Sequence, residues 1–160
     1  RSLSALIEVT NSYCFKTPVN FVFTSHEPER LFVKYLFDQR NANSIDACIK
    51  SPDTGFYEIE YFWRKGEHFK RGIFNPDYFI KIGTNFLIVE IKADTDVSED
   101  NKAKMNYARE HFSRLNTIQS KHKYYFNMLS KESYDQFFKF MREGNYDKFK
   151  STLEAKLEAV

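Results

Sequence analysis

The sequence is poor in the residues that announce disulfide, zinc or redox chemistry. It has two cysteines, Cys14 and Cys48, in 160 residues, and they lack the paired spacing of a metal knuckle or redox motif. Both are expected to be buried or half-buried thiols of a reducing compartment. The four histidines, His26, His68, His111 and His122, are scattered without metal-ligand or nucleophile–base spacing, and read as ordinary surface or core residues. There is no glycine-rich phosphate loop, so the chain itself is not expected to hydrolyse ATP. A formal net charge of +2 provides no overall basic field, so contact with phosphate must come from local patches. No apolar stretch approaches the roughly 20 residues of a membrane-spanning helix. No signal peptide is recognisable, and the chain reads as cytoplasmic, with no membrane partner. It opens on Arg1 rather than Met, which predicts a piece cut from a longer protein.

What is present is aromatic bulk: 42% of residues are hydrophobic and 18% aromatic, with 17 Phe and 10 Tyr. That is enough for one core in a single domain over residues 1–160. Residues 3–9 are expected as a strand or short helix. Residues 19–23 alternate like a strand, placed at an edge by Pro18. A helix is expected to start around Pro28, which is tolerated only in a first turn, and to run to about residue 39. Thr24 and Glu27 have capping-box spacing, which gives Glu27 a structural task. Glu29 has none, and it stacks with Phe32, Val33 and Leu36 at the border of the buried stripe. It is either a solvated first-turn acid or a carboxylate leaning toward a metal site.

Residues 45–50 read as a strand and 51–55 as a turn. Tyr57, Ile59, Tyr61 and Trp63 alternate with Glu58, Glu60 and Phe62, the period of a strand whose aromatics face a core. Arg64, Lys65, Lys70 and Arg71 then bracket His68-Phe69 in what reads as a loop. Basic residues interleaved with an aromatic suit either a solvated loop or a phosphate backbone. Asp94, Asp96, Glu99 and Asp100 lack the glycine and terminal glutamate of a calcium loop and are expected as solvent-facing and helix-start acids. Ser98 caps a helix over 99–115 with Met105, Ala108, Phe112 and Leu115 inward. Lys104 lies off that stripe, as a solvated lysine or a substrate contact. A strand over 123–129 and a helix from Ser130 to Glu143, ended by Gly144, complete the core. Residues 145–159 are a docking helix or a link.

The densest chemical signal is 75–92, which reads as a hairpin. Residues 78–82 are strand-like, Gly83-Thr84-Asn85 is turn chemistry, and 86–91 is an apolar run. Pairing Lys81 with Phe86 sets Asp77 opposite Glu90, and a slip of one residue sets it opposite Ile91. Glu90 and Lys92 share a face, while Leu87, Val89 and Ile91 share the other. Two carboxylates that close repel unless a cation lies between them, and hard cations such as Mg²⁺ take carboxylate oxygens.

Pro76-Asp77, followed after twelve residues by Glu90-x-Lys92, resembles the PD-(D/E)XK nuclease superfamily. With the flanking runs 56–63, 74–77 and 89–94, the chain is similar to the nuclease domain that ends type III restriction subunits and related helicase-fused proteins. The resemblance implies an α/β restriction-endonuclease-like core of order αβββαβ, its central mixed sheet flanked by helices, here with extra N-terminal strands. It implies a Mg²⁺-dependent endonuclease, with Mn²⁺ as a substitute, acting on double-stranded DNA in a bacterial or archaeal cytoplasm. A helicase partner follows from the same likeness, and cutting both strands would take two such sites, as in a dimer, or a repeated visit. The site it implies has Asp77, Glu90 and the Ile91 carbonyl as metal ligands, joined by Glu29 from the first helix. Lys92 would orient the attacking water, and Lys104 would sit near the active strand. The alternative is a nuclease-fold module that binds nucleic acid or a partner protein without cutting.

Overall fold

Stretches with a period of two build the centre of the molecule, and stretches with a helical period cover it. The computed structural model describes residues 6–8, 21–52 and 54–160. In chain order the elements are β1 (Leu6–Glu8), β2 (Phe21–Phe23), α1 (Glu27–Leu36), α2 (Gln39–Asn43), β3 (Ala47–Lys50), β4 (Ile59–Lys65) and β5 (His68–Phe74). They continue with β6 (Tyr78–Ile82), β7 (Asn85–Ile91), α3 (Glu99–Ile118), β8 (Lys123–Leu129), α4 (Tyr134–Glu143) and α5 (Thr152–Glu158).

The central sheet has the order β3-β6-β7-β8, with β1–β2 and β4–β5 as separate two-stranded sheets. β3, β6 and β7 are antiparallel neighbours, and β8 joins β7 in parallel. The parallel step needs a crossover, which α3 supplies. The chain is therefore α/β, with a mixed sheet flanked by helices. Among the described residues no helix is long and apolar enough to cross a membrane.

Alternation along β6 and β7 splits the core in two. Tyr78, Ile80, Leu87, Val89 and Ile91 face α1 and α4, where Phe32, Phe137 and Phe138 lie. Ile88 faces the other way, into a cluster with Met105, Ala108 and Phe112 of α3 and Ile59, Tyr61 and Phe74 of β4–β5. Phe32 is fully enclosed, with the rings of Tyr78, Phe138, Tyr134 and Phe137 at 4.8 to 6.1 Å. Such pairs each add about 0.5–1.5 kcal/mol beyond the area they bury. Cys48 is buried in the same cluster, and burial pushes its thiol up to about 12, so it is inert. Cys14, Pro18 and the rest of residues 9–20 fall outside the described residues, as do residues 3–5 of the first expected element.

Several expectations need correction. The basic stretch 64–72 is not a loop: β4 and β5 pair from Ile59↔Phe74 to Lys65↔His68 around Gly66-Glu67. The alternation there is hidden because neither face of the distal half is buried. α1 stops at Leu36 rather than at residue 39, and a second short helix follows it. The strand expected over 45–50 begins at Ala47, with Ile45 buried just before it.

The tail forms a docked helix. Ser151 and Glu154 make a full capping box at the start of α5, and Leu153 and Leu157 are buried against the α3 side of the sheet. Glu154 is 0% exposed. Its carboxylate accepts from Met128 N at 3.2 Å, Asn127 Nδ2 at 3.1 Å and Ser151 N at 2.9 Å, with Arg109 Nη2 at 3.4 Å. Ser151 Oγ donates to Met128 O at 2.6 Å. Further along β8, the Asn116 side chain donates to Tyr124 O at 2.8 Å and accepts from Tyr124 N at 2.7 Å. The strand's outer edge is thus clamped near both ends. Glu154→Ala would orphan three buried donors and leave Arg109 short of a partner. It is expected to cost about 3 kcal/mol in urea unfolding; a loss below about 1 kcal/mol would contradict this account.

Candidate active site

The site sits where the β6–β7 ladder runs out. Gly83, at φ 58°, takes the left-handed first position of a two-residue loop. That loop fixes Ile82↔Asn85, Lys81↔Phe86 and Tyr78↔Val89 as partners. Carried one residue further, this register sets Asp77, a bend just before β6, opposite Glu90, the first of the two registers expected from the sequence, and the two carboxyl groups interact. Ladder bonds alternate, so the following bonded pair would be Pro76 with Ile91. Proline brings no N–H, and the ladder stops. The Ile91 N–H instead donates to Asp77 Oδ2 at 2.7 Å. The Ile91 carbonyl, turned to the same side in an extended strand, receives no donor from Pro76. Asp77 is anchored from behind as well, its own carbonyl accepting from Ser51 N at 2.8 Å.

Glu29 has the structural task that the sequence assigned to Glu27. The N-cap of α1 is His26, which makes no side-chain cap bond, and Glu27 is exposed. Glu29, 5% exposed, accepts from Ser25 N at 2.6 Å through Oε2 and from the Tyr78 hydroxyl at 3.1 Å through Oε1. Lys50 Nζ lies 3.0 Å from the same Oε1. Glu29 does lean toward the core as expected, but the protein itself supplies its partners. Lys50 was not singled out in the sequence, because nothing local marks a lysine at the end of β3 as the mate of a helix 21 residues earlier.

A cleft of about 470 Å³ opens here, lined by Glu29, Asp77, Glu90, Ile91 and Lys92, with His26 and Asp96 on its rim. Burial raises the Asp77 carboxyl; the Ile91 N–H opposes this and the Glu29 charge adds to it. Burial, and after it Asp77, push Glu90 up to about 8, while Lys92 and Lys104 pull it back. A bond between the two acids, which requires a proton on one of them, adds to the Glu90 shift. Lys92 Nζ is 3.6 Å from Glu90 Oε1. Glu90 Oε2 is buried and has no hydrogen-bond partner.

Lys104 belongs to this neighbourhood. Its ammonium stands 5.5 Å from the Tyr61 ring centroid, and burial followed by Lys92 hold it below the usual lysine value. The Tyr61 hydroxyl is bonded to Asp100, and its pKa is raised by burial first and then by that bond. The ring lies flat over Gly72, where an added Cβ would come within 2.5 Å of it. Asp96 accepts from Ala93 N at 3.0 Å, which folds the loop after β7. Asp94 and Asp100 each bury an unpartnered Oδ1; Asp94 is therefore not the solvent-facing acid expected, while Glu99 and Asp100 open α3 as helix-start acids, as expected. Ser98 caps α3 as expected, accepting from Asn101 N at 3.1 Å.

The remaining basic candidates, Arg64, Lys65, Lys70 and Arg71, are on the exposed arms of β4–β5, apart from the acid pair. Among the described residues no three histidine, cysteine or acidic side chains stand together as a ready metal cage. The donor set at the ladder end is instead two carboxylates and one carbonyl. Two facing carboxyl groups at the wall of a cleft, one with a buried oxygen that lacks a hydrogen-bond partner, suit a hard divalent cation.

Glu90 keeps its proton in the folded chain to about pH 8, whereas its unperturbed value is 4.5. Across that window the unfolded state holds fewer protons, so stability falls as pH rises through it. With chelator present, Glu90→Gln is expected to melt about 3 °C or more above wild type near pH 8, roughly 1 kcal/mol for a domain of this size. The two should coincide near pH 4, and calorimetry at both values checks this; equal melting near pH 8 would mean that Glu90 is solvated. Compared with known proteins, the chain matches no family model, no curated protein and no solved structure.

Proposed function

We propose that the chain is a metal-dependent endonuclease domain of PD-(D/E)XK type that hydrolyses DNA phosphodiester bonds. The observation that carries this reading is the pairing of half-buried Asp77 with buried Glu90, with the partnerless Glu90 Oε2 and an amine 3.6 Å from Oε1. The element order supports it: α1, then β3, β6 and β7, then α3 and β8, give αβββαβ around the mixed sheet. β4–β5 is then an insertion and β1–β2 the N-terminal addition.

Asp77, Glu90 and the Ile91 carbonyl would hold Mg²⁺, or Mn²⁺ in its place. A bound ion supplies Lewis acidity at a phosphoryl oxygen and lowers the pKa of a water. Glu29, engaged by Lys50 and Tyr78, contributes charge and fixes Lys50 beside Asp77 rather than offering an open oxygen. Lys92 donates toward the water or the phosphate oxygens, where negative charge grows as the phosphorus becomes pentavalent. Lys104 adds a second cation on the same side. Arg64, Lys65, Lys70 and Arg71 contact the phosphate backbone of duplex DNA. A helicase-bearing bacterial or archaeal defence protein, in the cytoplasm, is the setting this reading implies, and a dimer accounts for cutting both strands.

One observation favours the rival, a nuclease-fold module that binds nucleic acid or a partner without cutting: among the described residues only two open carboxylates meet at the site. Plasmid nicking in Mg²⁺ or Mn²⁺ separates the two. Wild type is expected to nick, and Asp77→Ala and Lys92→Ala to lose about 100-fold or more, the weight of one preorganised transition-state contact. In calorimetry, Mn²⁺ uptake should vanish in Asp77→Ala and Glu90→Ala and persist in Lys92→Ala. Equal nicking by wild type and variants, or Mn²⁺ uptake indifferent to Asp77 and Glu90, would sink the enzyme reading.

A further inference from the structure

The β4–β5 hairpin has two faces with different fates. Ile59, Tyr61 and Phe74 go into the core. The opposite face carries the cross-strand pairs Glu60↔Ile73, Phe62↔Arg71 and Arg64↔Phe69. There Phe62 is 45% exposed, Ile73 53% and Phe69 72%. Exposed large apolar side chains scattered singly are ordinary; three on one face of one hairpin are not. Each ring also has a guanidinium opposite it. Arg64 lies over the Phe69 ring at 4.8 Å. Arg71, opposite Phe62, is held by Glu60 at 2.5 Å. Phe62 is backed by the Tyr107 ring at 6.3 Å. Around the hairpin end, Arg64, Lys65, Lys70 and Arg71 face one acid, Glu67.

We infer that this outward face is a stacking platform for unpaired bases, with Phe62 and Phe69 taking the bases and Arg64 and Arg71, on the same face, taking the phosphates. Rings beside fixed cations on a charged arm are the recurring recipe for single-stranded nucleic acid, because every base offers a π-face and every link offers an anion. A purely apolar partner would leave Arg64 desolvated without an anionic mate. Bases paired in a duplex are already stacked and keep their faces turned away from such rings. The platform is tied to the acid site through α3. Lys104 reaches Tyr61 on the hairpin's inner face, and Tyr107, one turn on, meets Phe62 on the outer face. The preferred substrate is therefore DNA with a single-stranded stretch beside the scissile duplex, an inference that rests on the nuclease reading for its choice of nucleic acid as partner.

Anisotropy of labelled DNA with the full chain in chelator tests this, using a blunt duplex and the same duplex with a single-stranded overhang. The overhang is expected to tighten binding about tenfold, the weight of one base–aromatic stack. Phe62→Ala with Phe69→Ala should erase that gain and leave blunt-duplex affinity unchanged, with circular dichroism and melting as for wild type. Phe62→Tyr with Phe69→Trp should restore the gain. An overhang that adds nothing, or a double alanine variant that keeps the preference, overturns the platform. So does sedimentation in which wild type is dimeric and that variant monomeric, since a second copy would then occupy the face. Overhang preference without Asp77-dependent Mn²⁺ uptake would sink the nuclease reading and leave the platform standing. Asp77-dependent nicking without overhang preference does the reverse.

Discussion

Two carboxylates held opposite each other across the open end of one antiparallel ladder are the arrangement on which the rest depends. A two-residue loop fixes the register, and register fixes the opposition of Asp77 and Glu90. Pro76 then ends the ladder at the position where a further rung would have occupied the Ile91 carbonyl. Left to itself, such a pair is unfavourable: both acids are raised by burial and by charged neighbours. The aromatic clusters on either side of the sheet offset that cost, since packed rings and buried strands hold β6 and β7 where the acids would not choose to be. Here a local conflict is sustained by global packing.

Around this pair the charges divide into closed and open sets. Glu29 and Lys50 satisfy each other, with Ser25 and Tyr78 completing the shell. Lys92 and Lys104 lie on the other side of Glu90, each affecting its proton. The closed set gives rigidity, because α1 and β3 are both tied to the residue that flanks Asp77. The open set keeps reactive capacity: an unpartnered oxygen, a carbonyl without a rung and two amines. The hairpin β4–β5 extends the open set outward, since Tyr61 and Phe62 are successive residues reaching opposite faces.

Much of this was legible in the sequence where the information is local. The loop residues, the alternation of β6 and β7, the Ser98 cap and the Met105–Ala108–Phe112 stripe each follow from neighbours a few residues apart, and each is present. What was not legible depends on distant partners. Glu29 and Glu27 are two residues apart on one helix, and only Ser25, Tyr78 and Lys50 in three dimensions decide which of them carries the structural load. β5 hid because a strand exposed over most of its length has no apolar rhythm, leaving His68-Phe69-Lys70-Arg71 to look like a charged loop. Residues 145–159 were ambiguous because α5 buries only Leu153, Leu157 and the capping Glu154, too few to register as a stripe.

The clamps on β8 bear on how copies of the molecule meet. An edge strand ordinarily presents a row of amides and carbonyls that a neighbour's strand can adopt. Here an asparagine amide imitates such a neighbour at Tyr124, and a serine hydroxyl and a glutamate do so at Met128. Too little free backbone is left between them for an incoming strand to zip onto. The sheet is in effect hemmed on that side by its own side chains, so growth into a continuous intermolecular β-layer is blocked there without any help from proline or charge repulsion.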